Sequence, residues 1–355
     1  NHIPFTLAAR GGLLLWQAAS GGGDRHFNEV VLRLPAWLAG LLGIGALGVF
    51  LWVAGYPRAG ILAAWLAALH PWFLRYMTEA SGYSLATLWI PLVCASALLA
   101  LRSGRWPWWL LFAGAHCLLL FSVLGTVYFA LLLDLGIAIT LLLRGRLLQQ
   151  PQPAHQLRRF AVALGLSLIP LALLLGPSAH QIARYLVVDR VDQPLGWPWL
   201  QDAWAQLALG MPWRGSGFES QLILTVEQLL ANGNPLPMYF ALLLLPLVLI
   251  GAHRLATGGR AGAAAVACAL LLGGPLLYAL ASDQQAFLLK RYVFFVLPGV
   301  LAFAALAADW LAAAIARVAP RPLAAAPGVL LVALLALAAQ PQRATVLNHA
   351  KENLK

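Results

Sequence analysis

The side chains able to do chemistry are few, and they stand between greasy runs rather than within them. The stretch "LRYMTEASGYSL" at 74–85 sets Arg75, Glu79 and Tyr83 where one apolar run stops and the next begins. The start of the chain carries Asn1, His2, Asp24, His26, Glu29 and Arg33, and a late stretch carries Lys290, Arg291 and Tyr292. A carboxylate can take the proton of a hydroxyl nucleophile, and a guanidinium or ammonium can hold a phosphate and steady it as it leaves. Glu79 is such a carboxylate, and Lys290, Arg291, Arg33, Arg75 and Arg214 are such cations. Other chemistries have less to stand on. Cys94, Cys117 and Cys268 all lie in apolar runs, and neither a CxxC nor a Cys/His zinc spacing occurs. The absence of a P-loop or dinucleotide fingerprint argues against an ATP-driven pump. A divalent metal held by His2 or His26 with Glu79 is conceivable, but the spacing carries no ligand signature, so no metal residue is assigned.

The elements that must position these residues are membrane helices. The 355 residues are 61% hydrophobic and 10% charged, with mean hydropathy +0.80, whereas soluble domains are about 25% charged. Crossing the hydrocarbon core takes about 20 helical residues. Ten spans are predicted, at 34–54, 59–74, 83–101, 107–122, 124–143, 159–177, 237–252, 262–281, 292–312 and 323–339. The runs are too long for barrel strands and do not alternate, so the fold class is an all-α polytopic membrane protein. Taken alternately, the connections near Arg58, Arg102/Arg105, Arg144–Arg159, Arg254–Arg260 and Arg317/Arg321 hold eleven arginines and no acid. That density marks the cytoplasmic side. The other side holds ten of the twelve acids. The chain divides into an outer segment 1–33, six spans over 34–177, a long outer loop 178–236, four spans over 237–339 and an outer tail 340–355. The formal charge of +11 is mostly this topological bias, and no segment alternates basic and aromatic residues, so nucleic acid is not an expected partner. Because the N-terminus falls outward, a further helix upstream of Asn1 is expected.

Polar residues within spans are costly and draw attention. Asp134 sits mid-span and His116 at about the same depth on the preceding span, so the two can pair; one interhelical contact is favoured over a proton relay. Asp309 lies near an inner helix end, and His70 precedes Pro71 at an outer one. On the outer side, 3–17 reads as a short amphipathic helix in the interface with Trp16 as anchor, and 26–35 as a second piece leading into the first span, with Glu29 placed to meet the helix dipole. Trp197, Trp199, Trp204 and Trp213 suit a loop lying in the headgroup layer.

The order of these features resembles the GT-C glycosyltransferases of the protein-mannosyltransferase and aminoarabinose-transferase type. The stretches that carry the resemblance are "NHIPF" at 1–5, "NEVVLRLPAWLAGLLG" at 28–43, "YPRAGILAAWLAALHPWFLRYMTEASGYSL" at 56–85 and "KRYVFFVLPGVL" at 290–301. In that family the matching patterns are N-H-P-L, an acid followed by LRLP, a short helix ending in SQEARxY, and RYLLxxLP. The likeness is good over 1–85 and weak over 290–300; between them only topology agrees. It implies a GT-C fold with outer-face amphipathic helices and an inverting transfer of a hexosyl or pentosyl group from a polyprenyl-phosphate donor. The acceptor would be a cell-envelope glycan, lipid or protein at the outer face of a bacterial cytoplasmic membrane. It implies Glu79, His2 and Asp24 as catalytic candidates, and Asn1, Arg33, Arg75, Tyr83, Lys290, Arg291 and Tyr292 as substrate-binding ones. No cofactor is assigned. The family's principal acid would lie upstream of Asn1, and the arginine of its QEARxY pattern is Ser81 here. A flippase or transporter of a lipid-linked saccharide is the alternative, and it predicts charges lining the midplane, where the spans carry almost none. A non-catalytic scaffold is the third reading.

Overall fold

The computed structural model describes residues 3–20, 28–79, 81–147, 153–181, 196–214, 224–283 and 290–352. Among them the secondary structure is helical throughout. The first helix, α1 (Ile3–Ser20), packs on α2 (Glu29–Val53) by inserting Phe5 and Ala9 against Ala36, Leu32 and Leu85. The predicted interfacial piece is thus one 18-residue helix. The second piece, 26–35, is not separate: from Glu29 onward it is already the first span. Asn28 sets that start, its Oδ1 accepting the N–H groups of Val30 and Val31 at 3.0 and 3.3 Å, and Glu29 follows in the positive first turn.

Next come α3 (Pro57–Leu69), α4 (Pro71–Thr78), α5 (Tyr83–Ser103), α6 (Trp106–Ser122), α7 (Val127–Leu147) and α8 (Pro153–Leu175). Beyond them lie α9 (Trp197–Leu209), α10 (Val226–Ala231), α11 (Leu236–Thr257), α12 (Ala263–Asp283), a 3-10 segment (Lys290–Val296) and α13 (Leu297–Ile315). A short α14 (Arg321–Ala324), α15 (Ala326–Ala338) and α16 (Gln340–Glu352) complete the order. Every predicted span has its helix, but they are unequal. Among the described residues seven are long and apolar enough to cross a membrane, two (α3 and α6) are shorter, and α15 with the start of α16 is an apolar pair bent by 56°.

The second predicted span breaks for a local reason. Pro71 has no N–H to give and disfavours helical geometry in the residue before it, and His70 is extended at φ −75°, ψ 122°. The 13 residues of α3 then reach only about 20 Å, short of the ~30 Å core, and α4 follows as a separate helix.

Helices α5 and α13 form the centre, with 78% and 89% of their apolar windows buried, whereas α8 is peripheral at 17%. Small residues bring the backbones close, as they do between membrane helices. A Cβ on Gly251 of α11 would lie 1.9 Å from the Phe303 carbonyl oxygen of α13, and one on Gly60 of α3 would lie 2.7 Å from that of Gly48. The two polar residues noted at equal depth, His116 and Asp134, meet across helices. His116 Nε2 stands 3.3 Å from Asp134 Oδ2, off hydrogen-bond alignment, while its Nδ1 is 2.8 Å from Ser167 Oγ. Three helices, α6, α7 and α8, are thereby tied, in line with the interhelical contact expected for His116 and Asp134.

The connections sort to two ends, as the arginine pattern required. At one, Arg260 Nη1 donates to the Val53 carbonyl at 2.8 Å, Arg254 Nη2 meets Asp309 Oδ2 at 3.3 Å, and Arg159 donates to the Gly104 carbonyl. At the other lie α1, α4, α9, α10 and the 3-10 segment. The tail, expected only as an outward extension, is the helix α16, and it folds back against α4.

Candidate active site

Helix α4 is the organising element of the second end. It is only eight residues long, and Trp72, Phe73, Tyr76 and Met77 turn inward from it. Phe294, from the 3-10 segment, closes an aromatic cluster with them. Its ring centroid lies 5.2 Å from Trp72, 4.4 Å from Tyr76 and 6.2 Å from Tyr83, and Tyr76 lies 4.8 Å from Tyr83. Edge-to-face and tilted pairs at these distances are favourable, so α4, the start of α5 and the 3-10 segment form one firm platform.

The charged groups sit on its rim. Glu79 is the C-terminal cap of α4, its N–H donating to the Arg75 carbonyl at 3.0 Å. Arg75 Nε meets Glu79 Oε1 at 2.5 Å, and the Arg75 guanidinium carbon stands 5.8 Å from the Tyr76 ring centre. A cation one turn from the helix end also suits the negative end of the helix dipole. From α2, Arg33 Nη1 donates to the Thr78 carbonyl at 3.2 Å, while Nη2 pairs with Glu29. Two Glu–Arg pairs from different helices thus meet at the end of α4. The Glu79 side chain is 41% exposed, so its carboxylate can be reached from outside.

The long loop closes another side. His70, fully buried, accepts the Trp72 N–H on Nδ1 at 3.3 Å, which leaves the proton on Nε2 to be donated to the Leu207 carbonyl at 3.1 Å. Gly210 ends α9 with φ +71°, and a Cβ there would lie 2.6 Å from Trp72 N. So α9 is seated on the break between α3 and α4. Three of the four tryptophans expected at the headgroups pack on protein. Trp199 is buried with its ring 5.1 Å from that of Tyr278. Trp204 Nε1 donates to the Ala241 carbonyl at 3.0 Å, and Trp213 packs against the core. Only Trp197 is largely exposed, at 70%.

Of the residues expected at a site, Arg33, Arg75, Glu79 and Tyr83 come together around α4. Tyr292 is half-buried in the 3-10 segment, and Lys290 and Arg291 belong to the same segment. Asn1, His2 and Asp24 lie outside the described residues, as does His26. Among the described residues no group of three or more His, Cys, Asp or Glu is placed to hold a metal ion. Arg214, a further cation candidate, is engaged through its Nε with Glu227 Oε1 at 2.6 Å. Sequence reasoning missed Asp202, buried on α9 with Oδ1 accepting the Arg214 N–H at 2.8 Å, and its neighbour one turn on, Gln206. The signal was present: Trp197-Pro198 opening and Leu209-Gly210 closing a run are helix start and stop marks.

No protein-family model and no curated protein matches the chain. Solved structures do. The archaeal oligosaccharyltransferase AglB from Archaeoglobus fulgidus, in complex with an inhibitory peptide and a dolichol-phosphate, matches over 98% of this chain and 47% of its own, at 13% identity and TM-score 0.52. The oligosaccharyltransferase of the same organism in its apo form matches over 91% and 45%, at 15% identity and TM-score 0.47. ArnT from Cupriavidus metallidurans in the apo state matches over 88% and 61%, at 15% identity and TM-score 0.45. The chain spans about half the length of the AglB structure. What the first of these likenesses establishes is architecture: this multi-pass membrane chain has the GT-C fold.

Proposed function

We propose that this chain is an integral membrane glycosyltransferase that moves a hexosyl or pentosyl group from a polyprenyl-phosphate donor to a cell-envelope glycan, lipid or protein. The observation that carries the reading is the pairing at the end of α4: a half-exposed Glu79 held 2.5 Å from Arg75, on an aromatic platform at helix-end depth. The likeness in fold to a protein solved with dolichol-phosphate supports the donor class.

The donor's tails remain in lipid, so its phosphate arrives at the level of helix ends. Arg75, with Lys290 and Arg291 from the facing 3-10 segment, would hold that phosphate and stabilise the charge that grows on it. An acceptor hydroxyl attacks the anomeric carbon from the opposite side. The new carbon–oxygen bond forms as the carbon–phosphate-oxygen bond breaks, the configuration inverts, and polyprenyl phosphate leaves. The hydroxyl proton passes to a general base, the Glu79 carboxylate in this reading, with His2 and Asp24 as the outer-segment candidates. Tyr83 and Tyr292 line the sugar's side, and Asn1 would be a further contact. The arginine bias of the opposite end supports a site at the periplasmic face of a bacterial cytoplasmic membrane. A divalent metal, where one is used, would draw on His2 or His26 with Glu79.

The test is release of free polyprenyl phosphate from a labelled polyprenyl-phosphate sugar by the purified full-length protein. Release that depends on acceptor supports the reading. No release from any hexosyl or pentosyl donor, with measurable transbilayer movement of the intact donor, would replace it with a transporter.

A further inference from the structure

Arg33 and Glu29 stand at the candidate site, yet their geometry is that of a clasp. The guanidinium of Arg33 is spent inward: Nη1 donates to the Thr78 carbonyl at 3.2 Å, Nη2 pairs with Glu29, and Nε is buried without a hydrogen-bond partner among the described residues. Its side chain is 21% exposed, half the value for Glu79. Thr78 is the last residue of α4, and its carbonyl is one of those a helix end leaves unsatisfied. Glu79 follows directly. Glu29 is in turn fixed at the first turn of α2, where the Asn28 cap and the helix dipole favour a carboxylate. A chain of contacts therefore runs from the start of α2 through Glu29 and Arg33 to the carbonyl beside Glu79. Gly40 and Met77 pack the same two helices further in, a Cβ on Gly40 lying 2.5 Å from Met77 Cβ, so α2 and α4 are closely seated before the clasp is made.

We infer that Glu29 and Arg33 are positioning residues for Glu79: Arg33 caps the C-terminal end of α4 from another helix, and Glu29 holds Arg33 to that task. The inference rests on the glycosyl-transfer reading only for its consequence, since the clasp itself is a matter of geometry. The alternative is that Arg33 serves as a phosphate ligand, and the two differ in what is lost when it is removed.

The full-length protein in nanodiscs is compared as wild type, Arg33→Ala, Arg33→Lys, Glu29→Gln and Glu79→Gln. Three quantities are read: amide hydrogen exchange at Glu79 and Ser81, binding of polyprenyl phosphate as the probe, and release of polyprenyl phosphate from a labelled donor. Arg33→Ala is expected to speed exchange at those two amides about tenfold, the factor one charge-assisted hydrogen bond corresponds to, and Glu29→Gln about twofold, the scale of one i,i+4 pair. They should lower turnover in step, with probe binding held within about twofold of wild type. Arg33→Lys keeps a donor for the Thr78 carbonyl and should recover part of both effects. Unchanged exchange in Arg33→Ala overturns the inference, and unchanged exchange with probe binding down about tenfold makes Arg33 a phosphate ligand instead. Faster exchange in an otherwise folded protein, with wild type and Glu79→Gln equally unable to release polyprenyl phosphate, leaves the clasp standing and removes the glycosyl-transfer reading.

Discussion

Carboxylates occur in two settings in this molecule, and the same kind of pairing serves opposite ends in each. Asp134 and Asp309, on spans, are 18% and 16% exposed and face His116 and Arg254 on other helices. Glu29 and Glu79, at helix termini of the other end, are 39% and 41% exposed and pair with arginines one turn away on their own helices. A pair joining two helices inside the bundle is costly to break, because the survivor is left in a poor solvent for charge. An exposed pair at spacing i,i+4 is worth only about 0.3–0.5 kcal/mol. Arg75 and Glu79 therefore hold each other weakly enough to exchange partners for a phosphate and a hydroxyl. The first setting builds the fold; in the second, Glu29–Arg33 is tied further to the Thr78 carbonyl, and Arg75–Glu79 is available for chemistry.

That contrast can be broken most sharply at Glu79. Glu79→Gln is expected to lower glycosyl transfer by about a hundredfold or more, the usual scale for losing a general base, while the thermal midpoint in detergent stays within the scatter of wild type. Asp134→Asn should do the reverse, leaving transfer per folded molecule intact. Transfer unaffected by Glu79→Gln would show that the exposed pair is no more chemical than the buried one.

The next effects are on stability. Gly210→Ala must place a side chain at φ +71° and 2.6 Å from Trp72 N. Left-handed backbone and overpacking together are expected to cost about 3 kcal/mol, read as a lowered thermal midpoint and faster proteolysis within 196–214. Asp309→Ala leaves Arg254, 24% exposed, without its carboxylate. A loss of about 2 kcal/mol is expected, below the figure for a fully buried pair because some solvent reaches both groups. A loss for Asp309→Ala no larger than that for an exposed pair would erase the distinction between the two ends.

How far the sequence shows these two settings depends on what sets each one. Hydropathy and the arginine count report transfer into lipid and topological bias, and both survive as apolar helices whose connections sort to two ends. His116 and Asp134 were legible as a pair because equal depth on neighbouring antiparallel helices puts side chains in reach. The break at His70 was harder, since apolar composition continues through it and only Pro71 marks the change. The seat of α9 was not legible at all. Trp199, Trp204 and Trp213 suit headgroups and protein equally well by composition, and only the fit of Gly210 to the break between α3 and α4 decides between them. At the site itself, the family's QEARxY arginine is absent at Ser81, which reads as a lost charge. In three dimensions Glu79 does have an arginine, Arg75, reached along the preceding helical turn.

The smallest expected effect tests whether the outer loop belongs to the exchangeable setting or the structural one. Arg214 takes part in both: its side chain pairs with Glu227 where both are about half exposed, and its backbone N–H satisfies buried Asp202. Arg214→Ala removes only the first, so a stability change below about 0.5 kcal/mol is expected. Asp202→Ala removes the second and strands a backbone donor, with an expected loss of about 1–2 kcal/mol. If Arg214→Ala proved the more damaging of the two, the exposed ion pair would be holding the loop in place. The rule that an accessible pair without a further tie is spare, on which the reading of Arg75 and Glu79 depends, would then fail at this end.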